Sequence, residues 1–355
     1  MNAPLDSALD LLEPTLGSWC GPAHLARIDE SRDGIPLVQV STVGAERWFA
    51  LAHGRLVELD PRTDELLPAA GRLDGRERLL SWRPGRRITW KCEAGPEPRL
   101  MKGYRRRRSR PAVAALRLAR RAAAGSELRV PGLVDDDPDA ELVTSEFLEG
   151  RALDLGPSSA ATFFRIGHGL RVFQESGAGF PLARHDRRRE LRVLDGGAAR
   201  TLRLAGGLPG GWRSLRAKLD ENVREAPAAP AVLVHRDLHD RQLLSCQGGV
   251  GLIDFDLLCL GDHALDAANL SAHLSLRALQ GQANATESTA NLAAEALLDG
   301  LDRCEEQGFA QSLRFYQTAT FLRLAALYHL RPRWRQVVPD LVALAGRCCR
   351  DLSPR

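Results

Sequence analysis

Two short stretches of the chain carry groups able to handle a phosphate and a metal ion. Residues 235–242 read His-Arg-Asp-Leu-His-Asp-Arg-Gln, and Asp254-Phe255-Asp256 follows a few residues later. The apolar run Ala231–Val234 reads as a buried strand that ends where His235-Arg236-Asp237 begins as a loop. Leu243–Cys246 and 250–253 read as two further strands about the turn Gln247-Gly248-Gly249. Such a hairpin sets Gln242, just before its first strand, beside Asp254, just after its second, with Asp237 one loop away. Hard cations such as Mg²⁺ take oxygen ligands from carboxylates, amides and phosphates. A further carboxylate next to a hydroxyl could act as its base. The set suits phosphoryl transfer, in which a protein mainly positions groups and neutralises charge.

The order and spacing of these residues resemble the catalytic loop and metal motif of protein-kinase-like enzymes. The run Gly-Asp-His-Ala-Leu-Asp at 261–266 is similar to the small-molecule branch, the aminoglycoside phosphotransferase and choline kinase-like family, and the resemblance spans about residues 78–330. It implies a bilobal α+β fold, with ATP or GTP and Mg²⁺ as cofactors and a small-molecule hydroxyl as acceptor. Asp237 would be the catalytic base, or at least orient the acceptor hydroxyl. Asp254 would bind Mg²⁺ at the nucleotide phosphates, and Asp256, where protein kinases have Gly, could share it. Gln242 stands where the family usually has Asn and offers its amide oxygen from one methylene further out. Asp266, at a helix start, would brace the catalytic loop at His235.

The same resemblance calls for a lysine on the third strand of the nucleotide lobe, and Lys102 in Arg-Leu-Met-Lys-Gly-Tyr takes that place. Lysine is scarce, with Lys91 and Lys218 the only others, and arginine replaces a compact ammonium poorly at a phosphate. Lys91, one strand earlier, is the fallback. The loop 83–87 would cover the phosphates, with Gly85 allowing close approach and Arg86 reaching out. Glu146 and Phe147 would meet the adenine at the hinge. Kinases usually pair the lysine with a glutamate on the next helix, but Arg-Pro-Ala-Val-Ala-Ala-Leu-Arg-Leu-Ala-Arg-Arg-Ala-Ala-Ala has no acid.

These groups need a scaffold. The 355 residues, 44% hydrophobic and 26% charged, suffice for a bilobal globular unit. Strands are expected in 36–43, 46–53, 55–61, twice in 78–93, and in 98–104, followed by a helix over 110–124 and a strand–acidic turn–strand over 129–150. Helices are expected over 159–176, 186–204, 212–225, 264–280, 286–307, 310–330 and 335–350, and a short amphipathic one over 5–16. The organisation is thus residues 1–77 as an extension of the small lobe, 78–150 as its nucleotide-binding part and 151–355 as a helical lobe with the acceptor pocket.

A net charge of +4 gives no reason to expect nucleic acid, and the basic run 105–108 reads as a solvated face. No apolar run is long enough for a membrane span, and the beginning has no signal-peptide pattern. Seven cysteines without a Cys-x-x-Cys pair fit reduced thiols in a cytoplasm. Two rivals remain: a metal-dependent phosphohydrolase using His235, His239 and Asp240 on a helix, and a pseudokinase of the same fold acting as a nucleotide-binding or scaffold module. Oligomeric state is not legible.

Overall fold

The computed structural model describes residues 24–350 and 352, apart from 43–44, 54, 76, 177–181 and 226–230. The helix expected over 5–16 lies outside the described residues.

The chain begins with a four-stranded antiparallel meander of β1 (His24–Glu30), β2 (Pro36–Thr42), β3 (Ala45–Ala52) and β4 (Arg55–Leu59). Strand β1 escaped the sequence reading. Its pairing with β2 shifts register between Leu25 and Arg27, and such a bulge breaks the two-residue alternation that marks a strand. Successive side chains of β2 point to opposite faces, and both faces are covered. Leu37, with Trp48 of β3, packs into a cluster containing Trp82, Ile88 and Trp90. Val38 and Val40, with Phe49, pack against Leu204 and Leu330 instead.

The second sheet has the order β5-β6-β7-β10-β9. It comprises β5 (Arg78–Arg83), β6 (Arg87–Cys92), β7 (Arg99–Tyr104), β9 (Leu133–Asp137) and β10 (Leu142–Glu146). Between β7 and β9 runs α1 (Ser109–Ala122), which has no side-chain cap of its own. The Glu141 carboxylate supplies it from across the sheet, accepting from the backbone N–H of Arg107, of Arg108 at 2.9 Å and of Ser109 at 2.8 Å.

Beyond residue 150 helices dominate: α2 (Ala160–Glu175), α3 (Arg187–Ala205), α4 (Trp212–Glu225), α5 (Leu265–Leu279), α6 (Glu287–Leu301), α7 (Phe309–His329) and α8 (Val338–Arg350). Their shared core holds Phe163, Ile166, Leu170, Phe173, Leu297 and Phe315, all fully buried. Helices α2 and α6 touch backbone to backbone. A Cβ on Gly167 would strike the Leu297 carbonyl oxygen, and one on Gly300 would strike that of Phe164.

Short strands carry the site, with β8 (Leu128–Arg129), β11 (Arg151–Ala152) and β12 (Arg184–His185) at the edges of their sheets. The strand β13 (Ala231–Val234) pairs antiparallel with β16 (Cys259–Asp262), and β14 (Leu243–Cys246) with β15 (Gly249–Leu252). Residues 235–239 are a loop, so the helix needed to present His235 and His239 to one metal is absent there. This removes the basis of the phosphohydrolase reading. Among the described residues no helix is long and apolar enough to cross a membrane.

Candidate active site

The loop leaving β13 is held from below. The Asp266 carboxylate, fully buried in the first turn of α5, accepts from the backbone N–H groups of His235 and Arg236, each at 2.7 Å. Burial pushes its carboxyl up from the ordinary value, against the opposing pull of the His235 charge and these two donors. The His235 ring places Nε2 2.9 Å from the Ile253 carbonyl oxygen and tilts against Phe255 at 5.3 Å. Arg236 adopts φ +70°, a left-handed conformation that non-glycine residues hold only where the surroundings impose it. Its carbonyl accepts from Asn269 Nδ2 at 2.7 Å, and Asn269 Oδ1 in turn accepts from Thr320 at 2.6 Å and Arg323 at 3.0 Å. Arg323 also stands 3.6 Å from Asp237.

Opposite lies the cleft face of the second sheet. Register pairs Arg87 with Tyr104, Thr89 with Lys102 and Arg83 with Arg87, so these side chains share one face. Lys102 Nζ donates to Asp254 Oδ1 at 2.7 Å and Asp256 Oδ1 at 2.8 Å. Arg87 Nη1 donates to Asp254 at 3.1 Å and Asp256 at 2.5 Å, and the Tyr104 hydroxyl to Asp256 at 2.7 Å. Burial opposes ionisation of Asp254, but the Lys102 and Arg87 charges outweigh it and hold the carboxyl well below the usual range. Asp254 also has φ +69°. The lysine without a helix glutamate therefore finds its carboxylate partners in the Asp-Phe-Asp run itself.

The remaining expected residues have varied partners. Arg86 is engaged by β1, its guanidinium donating to the Glu30 carbonyl oxygen at 3.3 Å. It sits in the turn, whereas Arg87 opens β6 and inherits that strand's cleft-facing side. The Glu146 backbone N–H donates to the Gly132 carbonyl at 2.9 Å, and its carboxylate accepts from the Gly132 N–H at 2.8 Å. The Phe147 ring lies under the Lys91 ammonium at 4.7 Å. Gln242 Nε2 is 3.4 Å from Asp254 Oδ2, where the hairpin argument put it. His239 and His273 stack at 4.9 Å below the loop.

Two carboxylates facing two cations, with an amide alongside, form a hard-oxygen donor set of the kind Mg²⁺ takes. Asp254, Asp256 and Gln242 fit such an ion, and Lys102 and Arg87 fit phosphate oxygens.

The sequence profile of the phosphotransferase enzyme family (APH) matches residues 85–306, more than half of the chain. The chain belongs to this family. Solved structures agree on the fold of this phosphotransferase. Choline kinase LicA from Streptococcus pneumoniae aligns with a TM-score of 0.56 at 13% identity, over 79% of this chain and 96% of that one. A choline/ethanolamine kinase family protein from Mesorhizobium loti gives 0.51 at 19%, over 80% and 90%. Amicoumacin kinase hAmiN in complex with AMP-PNP, Ca²⁺ and Ami gives 0.53 at 14%, over 79% and 88%. No curated protein matches the sequence.

Four contributors escaped the sequence reading: Arg87, Tyr104, Asn269 and Arg323. Alternation could have flagged Tyr104, two residues beyond Lys102. Asn269 and Arg323 lie on helices whose facing the linear pattern does not give.

Proposed function

We propose that this phosphotransferase moves the γ-phosphoryl group of ATP, with Mg²⁺, to a hydroxyl of a small molecule. The observation that carries the reading is the Lys102 ammonium held between Asp254 and Asp256, across the cleft from a loop clamped at Asp266. In it Asp254, Asp256 and Gln242 hold the metal, which neutralises phosphate charge when bound. Lys102 and Arg87 take the phosphate oxygens and keep the triphosphate oriented. Asp237 accepts the proton of the acceptor hydroxyl and aims it, while Arg323 restrains the Asp237 carboxylate. His235 and Asp266 position this loop without touching substrate.

The AMP-PNP and Ca²⁺ in the amicoumacin kinase structure support a nucleotide and a divalent cation here. The pseudokinase alternative rested on the missing helix glutamate and on Gln242 in place of Asn; Lys102 has acidic partners without that glutamate, and Gln242 still stands beside Asp254. Within this reading residues 78–150 bind the nucleotide and 151–355 carry the catalytic loop and acceptor pocket, with 1–77 as the extension. Six described cysteines without disulfides accord with a cytoplasmic setting.

The test is a thermal shift with Mg·ATP, followed by ADP release over a panel of hydroxyl compounds. Asp254→Ala should lose the nucleotide shift. Asp237→Asn should keep it while turnover falls by about 10²–10⁴-fold. Undiminished turnover in Asp237→Asn would overturn the assignment.

A further inference from the structure

We propose that the acceptor is itself an anion, a hydroxyl compound whose phosphate or carboxylate group is gripped by Arg27, Arg83 and Arg331 beside Asp237. This rests on the hydroxyl-transfer reading above and names the substrate class of that same site.

Three arginines meet here from distant parts of the chain. Arg83 ends β5 opposite Arg87 and so lies on the cleft face. Arg27 lies on β1, over the Trp48 ring at 4.8 Å. Arg331 follows α7 and covers the Tyr328 ring at 4.4 Å. The Ile28 N–H donates to the Leu330 carbonyl at 3.1 Å, so Arg27 and Arg331 each adjoin a residue of the same joint. Arg83 lies within electrostatic reach of Asp29, Asp254 and Asp237, Asp29 also reaches Arg27, and both Arg27 and Arg331 lie within reach of Arg83.

None of the three makes an ion pair with another described residue, and the Nε atoms of Arg27 and Arg331 are buried without a hydrogen-bond partner. Burial and the neighbouring Arg83 charge bring Arg27 down to about 10. Partial desolvation likewise lowers Arg83 and Arg331. Arg27 and Arg331 are half-buried and Arg83 is exposed, and their mutual repulsion, only partly offset by Asp29, is unfavourable. An oxyanion removes that disadvantage at once, because its planar or tetrahedral oxygens match the guanidinium fork.

The floor of the cleft has the same sign. Arg323 flanks Asp237, and burial, His239 and the charges of Arg323, Arg277 and Arg331 together hold His273 well below its ordinary value. The ligand atoms of His239, Asp240 and His273 do lie within 4.8 Å of one another, as for a metal. But Arg277 binds both Asp240 oxygens, at 2.8 and 2.9 Å, and the surrounding guanidinium groups repel a cation. An amine-rich acceptor would meet the same repulsion.

The test uses the full chain with its nucleotide side filled by Mg·AMP-PNP. Sodium phosphate and sodium malonate are titrated against sodium chloride at matched ionic strength, and unfolding temperature is read. One of the two oxyanions should raise it by about 2 °C or more beyond chloride, and which one does so distinguishes a phosphate from a carboxylate acceptor. The double variant Arg27→Ala/Arg331→Ala should lose that gain yet keep its response to Mg·AMP-PNP. If alanine prevents folding, Arg27→Lys/Arg331→Lys keeps the charge and should still weaken apparent oxyanion affinity by roughly tenfold, since the paired N–H fork is gone.

No gain over chloride overturns the proposal. So does joint loss of the oxyanion and nucleotide responses, which would make these arginines partners of the triphosphate. Loss of the gain in Arg192→Ala also overturns it, because Arg192 lines a separate cavity of about 350 Å³ with Arg184, Arg189 and Arg236. An oxyanion gain without any AMP-PNP response supports the anion site and sinks the hydroxyl-transfer reading instead.

Discussion

Lys102 lies between two carboxylates at 2.7 and 2.8 Å, with Arg87 and Tyr104 closing the same group. Charge-assisted bonds of this kind are stronger than neutral ones, and losing one typically removes about 1.5–3 kcal/mol. Lys102→Met should therefore weaken Mg·ATP binding by roughly 10- to 100-fold, measured by titration calorimetry. Lys91→Met should leave it nearly unchanged, since that ammonium contacts Glu93 and Phe147 instead. Lys102 and the Asp-Phe-Asp run were legible in the sequence because residue type and spacing restrict them. Arg86 and Arg87 were not separable. Both are arginines beside the same turn, and only the register of β5 with β6 tells which one faces the cleft. Arg323 was illegible for a different reason. It lies 86 positions beyond Asp237, and no local pattern carries such a contact.

Whole elements depend on single residues. Glu141 completes the start of α1 through the N–H groups of residues 107–109. Although burial opposes its ionisation, these donors bring its carboxyl down to about 2. The folded pKa lies below the unfolded one, so the stabilisation is present above the unfolded value near 4.5 and fades as pH falls towards 2. Glu141→Gln should cost about 1 kcal/mol at pH 7, and its gap from the unsubstituted chain in urea denaturation should narrow at pH 4. Gly300 sets the approach of α6 to α2. Gly300→Ala drives a methyl into the Phe164 carbonyl and should cost about 1–3 kcal/mol, read as a lowered denaturation midpoint. Helix positions were legible from apolar periodicity over 159–350, except that the helix expected to reach 307 stops at Leu301, where Asp302 turns left-handed at φ +51°. The Gly167–Gly300 contact was not, because a glycine in a helix pattern carries no sign of its neighbour.

In the molecule as a whole, the β1–β4 meander contacts both the second sheet and the helical part. Ion pairs join it to α3, Arg200 with Asp29 at 3.0 Å and Arg203 with Glu30 at 2.7 Å. Partly exposed pairs contribute only about 0.2–1 kcal/mol each, so the apolar seam of Leu25, Ile28, Val38, Val40, Leu204 and Leu330 outweighs them. Leu330→Ala should lower stability by about 2–5 kcal/mol, whereas raising sodium chloride to about 0.5 M, which screens surface charge, should change the unfolding temperature little.

That double seating constrains how the cleft can breathe. With Leu37 and Trp48 pressed into one half and Val38 and Val40 into the other, the second sheet and the helical part are joined through the meander as well as along the chain. Any widening must slide β1 along Leu330 or peel it away. On the proposed function, the escape of a finished product would then depend on slippage at a greasy gasket some distance from the atoms that react.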